Sequence, residues 1–170
     1  KSRDMGLPIT VRLKVPDTGK ISFVDTIRGK IEVDAREIDD FVILKSDNMP
    51  TYHLAHVVDD YLMRISHVIR AEEWISSTPR HILIHQALEY DLPKYVHVPL
   101  ILGSDKSKLS KRHGATSVLE YKKEGFINDA LFNFLSLLGW SPGEDKELLS
   151  KNEIISEFQL NKINSSSAIF

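Results

Sequence analysis

Apolar and polar positions alternate at the start of this chain. Ile9, Val11, Leu13 and Val15 fall on every second residue, the period of a half-buried strand. Pro16-Asp17-Thr18-Gly19 is a turn signal. Ile21 with Phe23, then Ile31 with Val33, predict two further strands around Arg28-Gly29. Phe41 to Leu44 is a short apolar run stopped by Ser46-Asp47-Asn48, which predicts a buried strand followed by a turn.

From Tyr52 the period changes. Leu54, Val57, Val58, Tyr61 and Leu62 fall at helical spacing. Ile65 to Arg70 reads as a strand. Thr78 as N-cap with Pro79 in the first turn predicts a helix to about Tyr90. Tyr95 to Leu102 is another strand candidate. This strand–helix–strand order is the material of an α/β layer with a parallel sheet. Residues 103–114 form a polar loop. Thr116 is placed to cap a helix through Lys123 that Gly125 ends, and Asn128 to Leu138 forms a strongly apolar helix stopped at Gly139. Residues 151–158 predict a last helix, with Ile154, Ile155 and Phe158 on one side. The sequence contains no internal repeat and no low-complexity segment.

Composition narrows the picture. The 170 residues suit one medium domain or parts of two, and 42% hydrophobic content is ordinary for a globular core. A formal charge of −2 means that any RNA contact is local. Without cysteine there are no disulfides and no thiolate metal sites, which fits a cytoplasmic location. The apolar runs, such as Val96 to Leu102 with His97 and Pro99 inside it, fall well short of the ~20 residues of a membrane span. Lys1-Ser2-Arg3-Asp4 lacks the apolar segment of a signal peptide. Both termini read as cuts within a longer chain.

Three segments carry candidate chemistry. Asp105 to Gly114 places four cations, Lys106, Lys108, Lys111 and Arg112, within seven positions. Lysines three apart on a polar loop after a strand can close over a triphosphate; on charge pattern alone, a solvated basic loop is the better reading. In Ile69-Arg70-Ala71-Glu72-Glu73-Trp74, Arg70 can fork onto a carboxylate and Trp74 can wall a pocket. A surface salt-bridge cluster is the plainer alternative. Tyr52 and His56 share a helix face at i, i+4; two partly buried, satisfied side chains would look the same. Adjacent Asp59 and Asp60 point to different sides of a helix and read as solvated or as favouring a helix N-terminus. His53, His81, His85 and His97 have no zinc spacing, so no metal site is expected.

Together the segments resemble one family. Val42-Ile43-Leu44-Lys45-Ser46-Asp47, Pro50-Thr51-Tyr52-His53-Leu54-Ala55, Val57-Val58-Asp59-Asp60 and His67-Val68-Ile69-Arg70-Ala71-Glu72-Glu73-Trp74 are similar to consecutive blocks of bacterial-type glutamate–tRNA ligases, which are class I aminoacyl-tRNA synthetases. So are Ser77-Thr78-Pro79, His97-Val98-Pro99-Leu100 and Leu137-Leu138-Gly139-Trp140-Ser141. Lys108-Leu109-Ser110-Lys111-Arg112 resembles the family's KMSKS-type loop. The blocks keep their order over nearly the whole chain.

The resemblance implies an α/β fold, the second half of a Rossmann-like catalytic domain. Residues 1–50 would be the β-rich end of an acceptor-stem-binding insertion with its return strand. Residues 51–102 would be the catalytic half-domain, and 103–170 the loop and the start of a helical stem-contact domain. It implies activation of glutamate with ATP and Mg2+ to glutamyl-adenylate, followed by transfer to the 3′ end of the glutamate tRNA. Tyr52, His56 and Arg70 would bind glutamate; Glu73, Trp74, Leu100, Ile101, Lys108, Ser110 and Lys111 would bind ATP; Lys108 and Lys111 would be catalytic. The partners implied are tRNA, glutamate and ATP, with no membrane and a monomeric full-length protein. His56 stands where the family commonly has Asn, and no His-x-Gly-His element of the "HIGH" type occurs. This segment by itself is therefore expected to be inactive. Rival readings are a non-catalytic tRNA-binding module, or a glutamine–tRNA ligase or queuosine-modifying relative of the same fold.

Overall fold

In this computed structural model the structure describes residues 8–110, 117–143 and 146–170. The chain divides into two compact units, Lys1–Val68 with Trp74–Val96 and Ile69–Glu73 with His97–Phe170.

The first unit opens with β1 (Val11–Leu13), β2 (Lys20–Asp25), β3 (Gly29–Asp34) and β4 (Phe41–Leu44). β1 pairs antiparallel with β4, and β2 pairs antiparallel with β3. The β2–β3 turn follows from its residues. Asp25, buried at the end of β2, accepts hydrogen bonds from the backbone N–H groups of Ile27 (3.0 Å) and Arg28 (2.9 Å). Gly29 then takes φ 75°, which costs a residue without Cβ little. β2 alternates buried and exposed, and sends Ile21 and Phe23 into the core beside Val15, Ile82, Leu83 and Tyr95. Phe23 meets Tyr95 edge to face at 5.8 Å. β4 is half-buried along its length rather than buried, as suits a strand in a two-stranded pair.

Next come α1 (Tyr52–Leu62), β5 (His67–Ala71), a 3-10 turn (Glu72–Ser77), α2 (Thr78–Leu88) and β6 (Lys94–Val98). The larger sheet has the order β3-β2-β6-β5; β2 runs parallel to β6 and antiparallel to β3, so the sheet is mixed. β5 and β6 both run on into the second unit.

α2 shows why Thr78 is not the cap that the sequence suggests. Ser77 precedes the helix in helical conformation (φ −89°, ψ −20°), because the chain enters α2 directly from the 3-10 turn. The Thr78 hydroxyl turns back and donates to the Trp74 carbonyl at 3.1 Å. Asp59 and Asp60 lie in the second half of α1, not at its N-terminus.

The second unit holds β7 (Ile101–Leu102), α3 (Val118–Lys123), α4 (Asn128–Leu137), α5 (Lys151–Glu157) and β8 (Ala168–Ile169). The apolar run read as one strand from Tyr95 to Leu102 is two, broken at Pro99. Proline offers no N–H to a ladder, and the chain restarts as β7, parallel to β8. Ser117 caps α3 in a capping box with Glu120, and Ser150 does the same for α5 with Glu153. Thr116, the expected cap of α3, lies outside the described residues. Trp140, Leu149 and Ile154 form this unit's core. No helix among the described residues is long and apolar enough to cross a membrane.

Candidate active site

Tyr52 and His56 belong to the first unit. Their helix is fixed to β4 at its start. The Thr51 hydroxyl donates to the Val42 carbonyl at 3.0 Å, and the Thr51 N–H donates to the Ile43 carbonyl at 2.9 Å. Thr51 therefore caps α1 without a side-chain bond to the helix. One turn in, the Tyr52 and His56 rings lie parallel, 5.5 Å apart. The Tyr52 ring is 5.1 Å from that of Trp74. His56 Nδ1 lies 3.2 Å from Asp60 Oδ2, the next i, i+4 step. Behind them His53 Nδ1 and His81 Nε2 share a hydrogen bond at 2.9 Å, and the His56 and His81 rings are 4.7 Å apart. Three of the predicted residues, Tyr52, His56 and Trp74, thus form one aromatic group, and Trp74 is held from behind by the Thr78 bond.

Arg70, Glu73, Leu100, Ile101, Lys108 and Ser110 belong to the second unit. Three long-range bonds organise this segment. Arg70 Nε donates to His97 Nε2 at 3.1 Å. The Leu100 N–H donates to Glu72 Oε1 at 3.2 Å. Lys108 Nζ donates to Glu73 Oε2 at 2.6 Å. Adjacent glutamates therefore do different jobs: Glu72, half-buried, holds the backbone just after Pro99, and Glu73, exposed, holds the cation.

The basic loop is a tight hairpin where it is described. Leu102 bridges to Lys108, and the Leu109 N–H donates to the Ile101 carbonyl at 2.9 Å. Asp105 closes the tip by accepting from the Ser107 N–H (2.9 Å) and hydroxyl (3.0 Å). Ser110 is exposed at its end, and Lys111 lies outside the described residues. Leu100 and Ile101 also line an apolar cleft of about 240 Å³ with Pro99, Trp140, Phe158 and Ile163. Among the described residues no group of three His, Asp or Glu side chains could hold a metal ion.

Sequence reasoning missed Glu72 and His97. Each acts on a partner 27 or 28 residues away, beyond any local pattern. A polar residue inside an apolar run is the signal the sequence offers for His97.

The family described as tRNA synthetases class I (E and Q), catalytic domain, matches residues 1–170. The glutamate–tRNA ligase of Dehalococcoides mccartyi (strain CBDB1) is 54% identical over 99% of this chain, which spans 35% of that protein. The glutamate–tRNA ligase of Moorella thermoacetica is 52% identical over 94% of this chain, which spans 33% of it. The crystal structure of a glutamate tRNA ligase from Elizabethkingia meningosepticum, in complex with its amino acid, superposes with a TM-score of 0.91 at 39% identity. That alignment covers 99% of this chain and 37% of the other. The chain thus spans about a third of the length of these relatives. With a family match along its whole sequence and the same α/β catalytic fold in a solved relative, this chain belongs to the class I tRNA synthetases of the E and Q type, within their catalytic domain.

Proposed function

We propose that this chain is part of an enzyme that activates glutamate with ATP and transfers it to the 3′ end of a glutamate tRNA. The observation that carries the reading is 54% identity to a glutamate–tRNA ligase across 99% of the chain, together with the placing of Arg70, Glu73 and Lys108 in one unit. The glutamate carboxylate attacks the α-phosphorus of ATP, the bond to the β-phosphate oxygen breaks, and pyrophosphate leaves. The ribose hydroxyl at the tRNA end then attacks the acyl carbon, and AMP leaves.

Arg70 forks onto a carboxylate of glutamate, a geometry that an arginine supplies and a lysine does not. Tyr52 and His56 line the amino-acid pocket. Glu73, Trp74, Leu100, Ile101 and Ser110 border the nucleotide. Lys108 and Lys111 stabilise the charge that grows on the departing pyrophosphate. Lys108 reaches the phosphates only by exchanging its bond to Glu73. Both side chains are about half exposed, 56% and 44%, so the exchange costs at most ~1 kcal/mol. Mg2+ travels with ATP, liganded chiefly by the phosphates. The reading extends to a cytoplasmic and monomeric full-length protein, as the family resemblance implies.

The test is equilibrium binding of a stable glutamyl-adenylate analogue to the full-length protein. Wild type binds it in preference to the glutaminyl analogue. Arg70→Lys weakens binding about tenfold or more, the loss of one charge-assisted bond. Equal affinity for the two analogues, or an indifferent Arg70→Lys variant, counts against the assignment.

A further inference from the structure

Trp140 sits in the core of the second unit with its polar atom unmatched. The residue is 3% exposed and packs with Leu149 and Ile154. Its indole Nε1 is buried and meets no acceptor among the described residues. An indole nitrogen is a donor only, and a buried tryptophan usually places that donor on a partner. A buried donor without an acceptor destabilises the fold, and an incoming acceptor removes that penalty.

The same residue lines the apolar cleft of about 240 Å³. Backbone pairing fixes this wall: Trp140 bridges to Ile163, and the Asn164 N–H donates to the Gly139 carbonyl at 2.8 Å. The Phe158 ring lies 5.9 Å from that of Trp140. Several polar groups of the lining are already engaged. The Leu100 N–H donates to Glu72, the Ser136 hydroxyl donates to the Phe132 carbonyl, and the Ile101 carbonyl accepts from the Leu109 N–H. The cleft therefore offers a ligand apolar surface and one unmatched N–H. Its size narrows the choice. An apolar cavity of ~150 Å³ takes one benzene, and drug-sized ligands use ~300 Å³ or more, so 240 Å³ suits two fused rings. A purine would leave several ring nitrogens unmatched against this lining.

We propose that this cleft is a binding site for a small two-ring molecule, mostly apolar, that presents one hydrogen-bond acceptor to Trp140 Nε1. The site stands apart from the ligase reading and shares with it only Leu100 and Ile101.

The experiment is equilibrium binding of quinoline and naphthalene to the full-length protein, with ¹H–¹⁵N spectra of the tryptophan indoles. The two probes share a shape and differ by one ring-nitrogen acceptor. Quinoline is expected to bind about tenfold more tightly. It should move downfield the one indole resonance that Trp140→Phe removes. Trp140→Phe keeps an aromatic ring without the N–H and is expected to bind both probes equally. Equal affinities in the wild type, no binding of quinoline, or a preference that survives Trp140→Phe overturns the proposal. Should Trp140→Phe fail to fold, Ala168→Leu takes its place. Ala168 lines the cleft, and the larger side chain is expected to weaken quinoline about tenfold by taking up its room; unchanged affinity overturns the site. Saturating ATP with Mg2+ is expected to leave quinoline affinity within about twofold. Displacement by ATP would place quinoline in the nucleotide's own site and overturn the proposal.

Discussion

Removing the Glu72 carboxylate tests whether one side chain positions the nucleotide-facing backbone. Pro99 interrupts the ladder between β6 and β7. The Leu100 N–H that follows is held by Glu72 Oε1 at 3.2 Å. A hydrogen bond to a charged acceptor contributes ~1.5–3 kcal/mol. Glu72 is only half-buried, so the low end, about 1.5 kcal/mol, applies here. If segment 98–101 borders ATP, as proposed, Glu72→Ala raises KM for ATP roughly tenfold, since ~1.4 kcal/mol is a factor of ten. Glu72→Gln keeps the acceptor oxygen and loses only the charge assistance, so its effect is about threefold. Glu73→Ala is the control for stability: it removes a half-exposed ion pair to Lys108 and lowers stability by less than ~1 kcal/mol. The assay is charging by the full-length protein with saturating glutamate and tRNA, alongside thermal melts. The reasoning is refuted if Glu72→Ala melts normally and leaves KM for ATP within about twofold, or if Glu72→Gln is as damaging as Glu72→Ala.

Other expectations follow from the proposed roles and from the described contacts. Lys111→Ala should lower kcat about 100-fold with little change in either KM if, as proposed, its cation acts on the transition state; an effect confined to folding, read by thermal melt, removes it from the chemistry. Burial holds the His85 imidazole below its ordinary 6.5, with the His56 charge lowering it further and backbone carbonyls and Asp60 opposing. The folded chain thus prefers neutral His85. That contribution is complete above about pH 6.5 and declines as pH falls below it, where the unfolded chain takes the proton more readily. Melting temperature should therefore drop on acidification less steeply in His85→Gln than in wild type, and equal slopes would contradict the reading. Thr78→Val removes the bond to the Trp74 carbonyl and should cost about 1 kcal/mol, seen as a lower melting temperature with shifted Trp fluorescence; an unchanged melt would assign Trp74 another anchor.

Local signals in this sequence report local structure well. The period-2 pattern of Ile21 and Phe23 and the Arg28-Gly29 turn are realised as β2, β3 and a Gly29 of positive φ. The i, i+4 relation of Tyr52 and His56 is realised as parallel rings. Thr78 was legible as a helix start but not as a non-cap, because its hydroxyl partner depends on how the chain arrives from Glu72–Ser77. The strand break at Pro99 is marked in the sequence by the proline, but the apolar run on both sides outweighs it in the pattern. The histidines have no metal-ligand spacing in the sequence, and the pair contacts that organise them, His53 with His81 and Arg70 with His97, join separate elements. Tertiary pairing of polar groups has no periodic signature in the chain. It needs the fold first.

The most direct test of the central claim is charging of bulk tRNA by the full-length protein with ATP, Mg2+ and labelled glutamate, with labelled glutamine in parallel. The account predicts glutamate on tRNA, dependent on ATP and lost in Arg70→Ala. Glutamine charging in place of glutamate would contradict the substrate, and tight tRNA binding with no charging of either amino acid would contradict the enzyme.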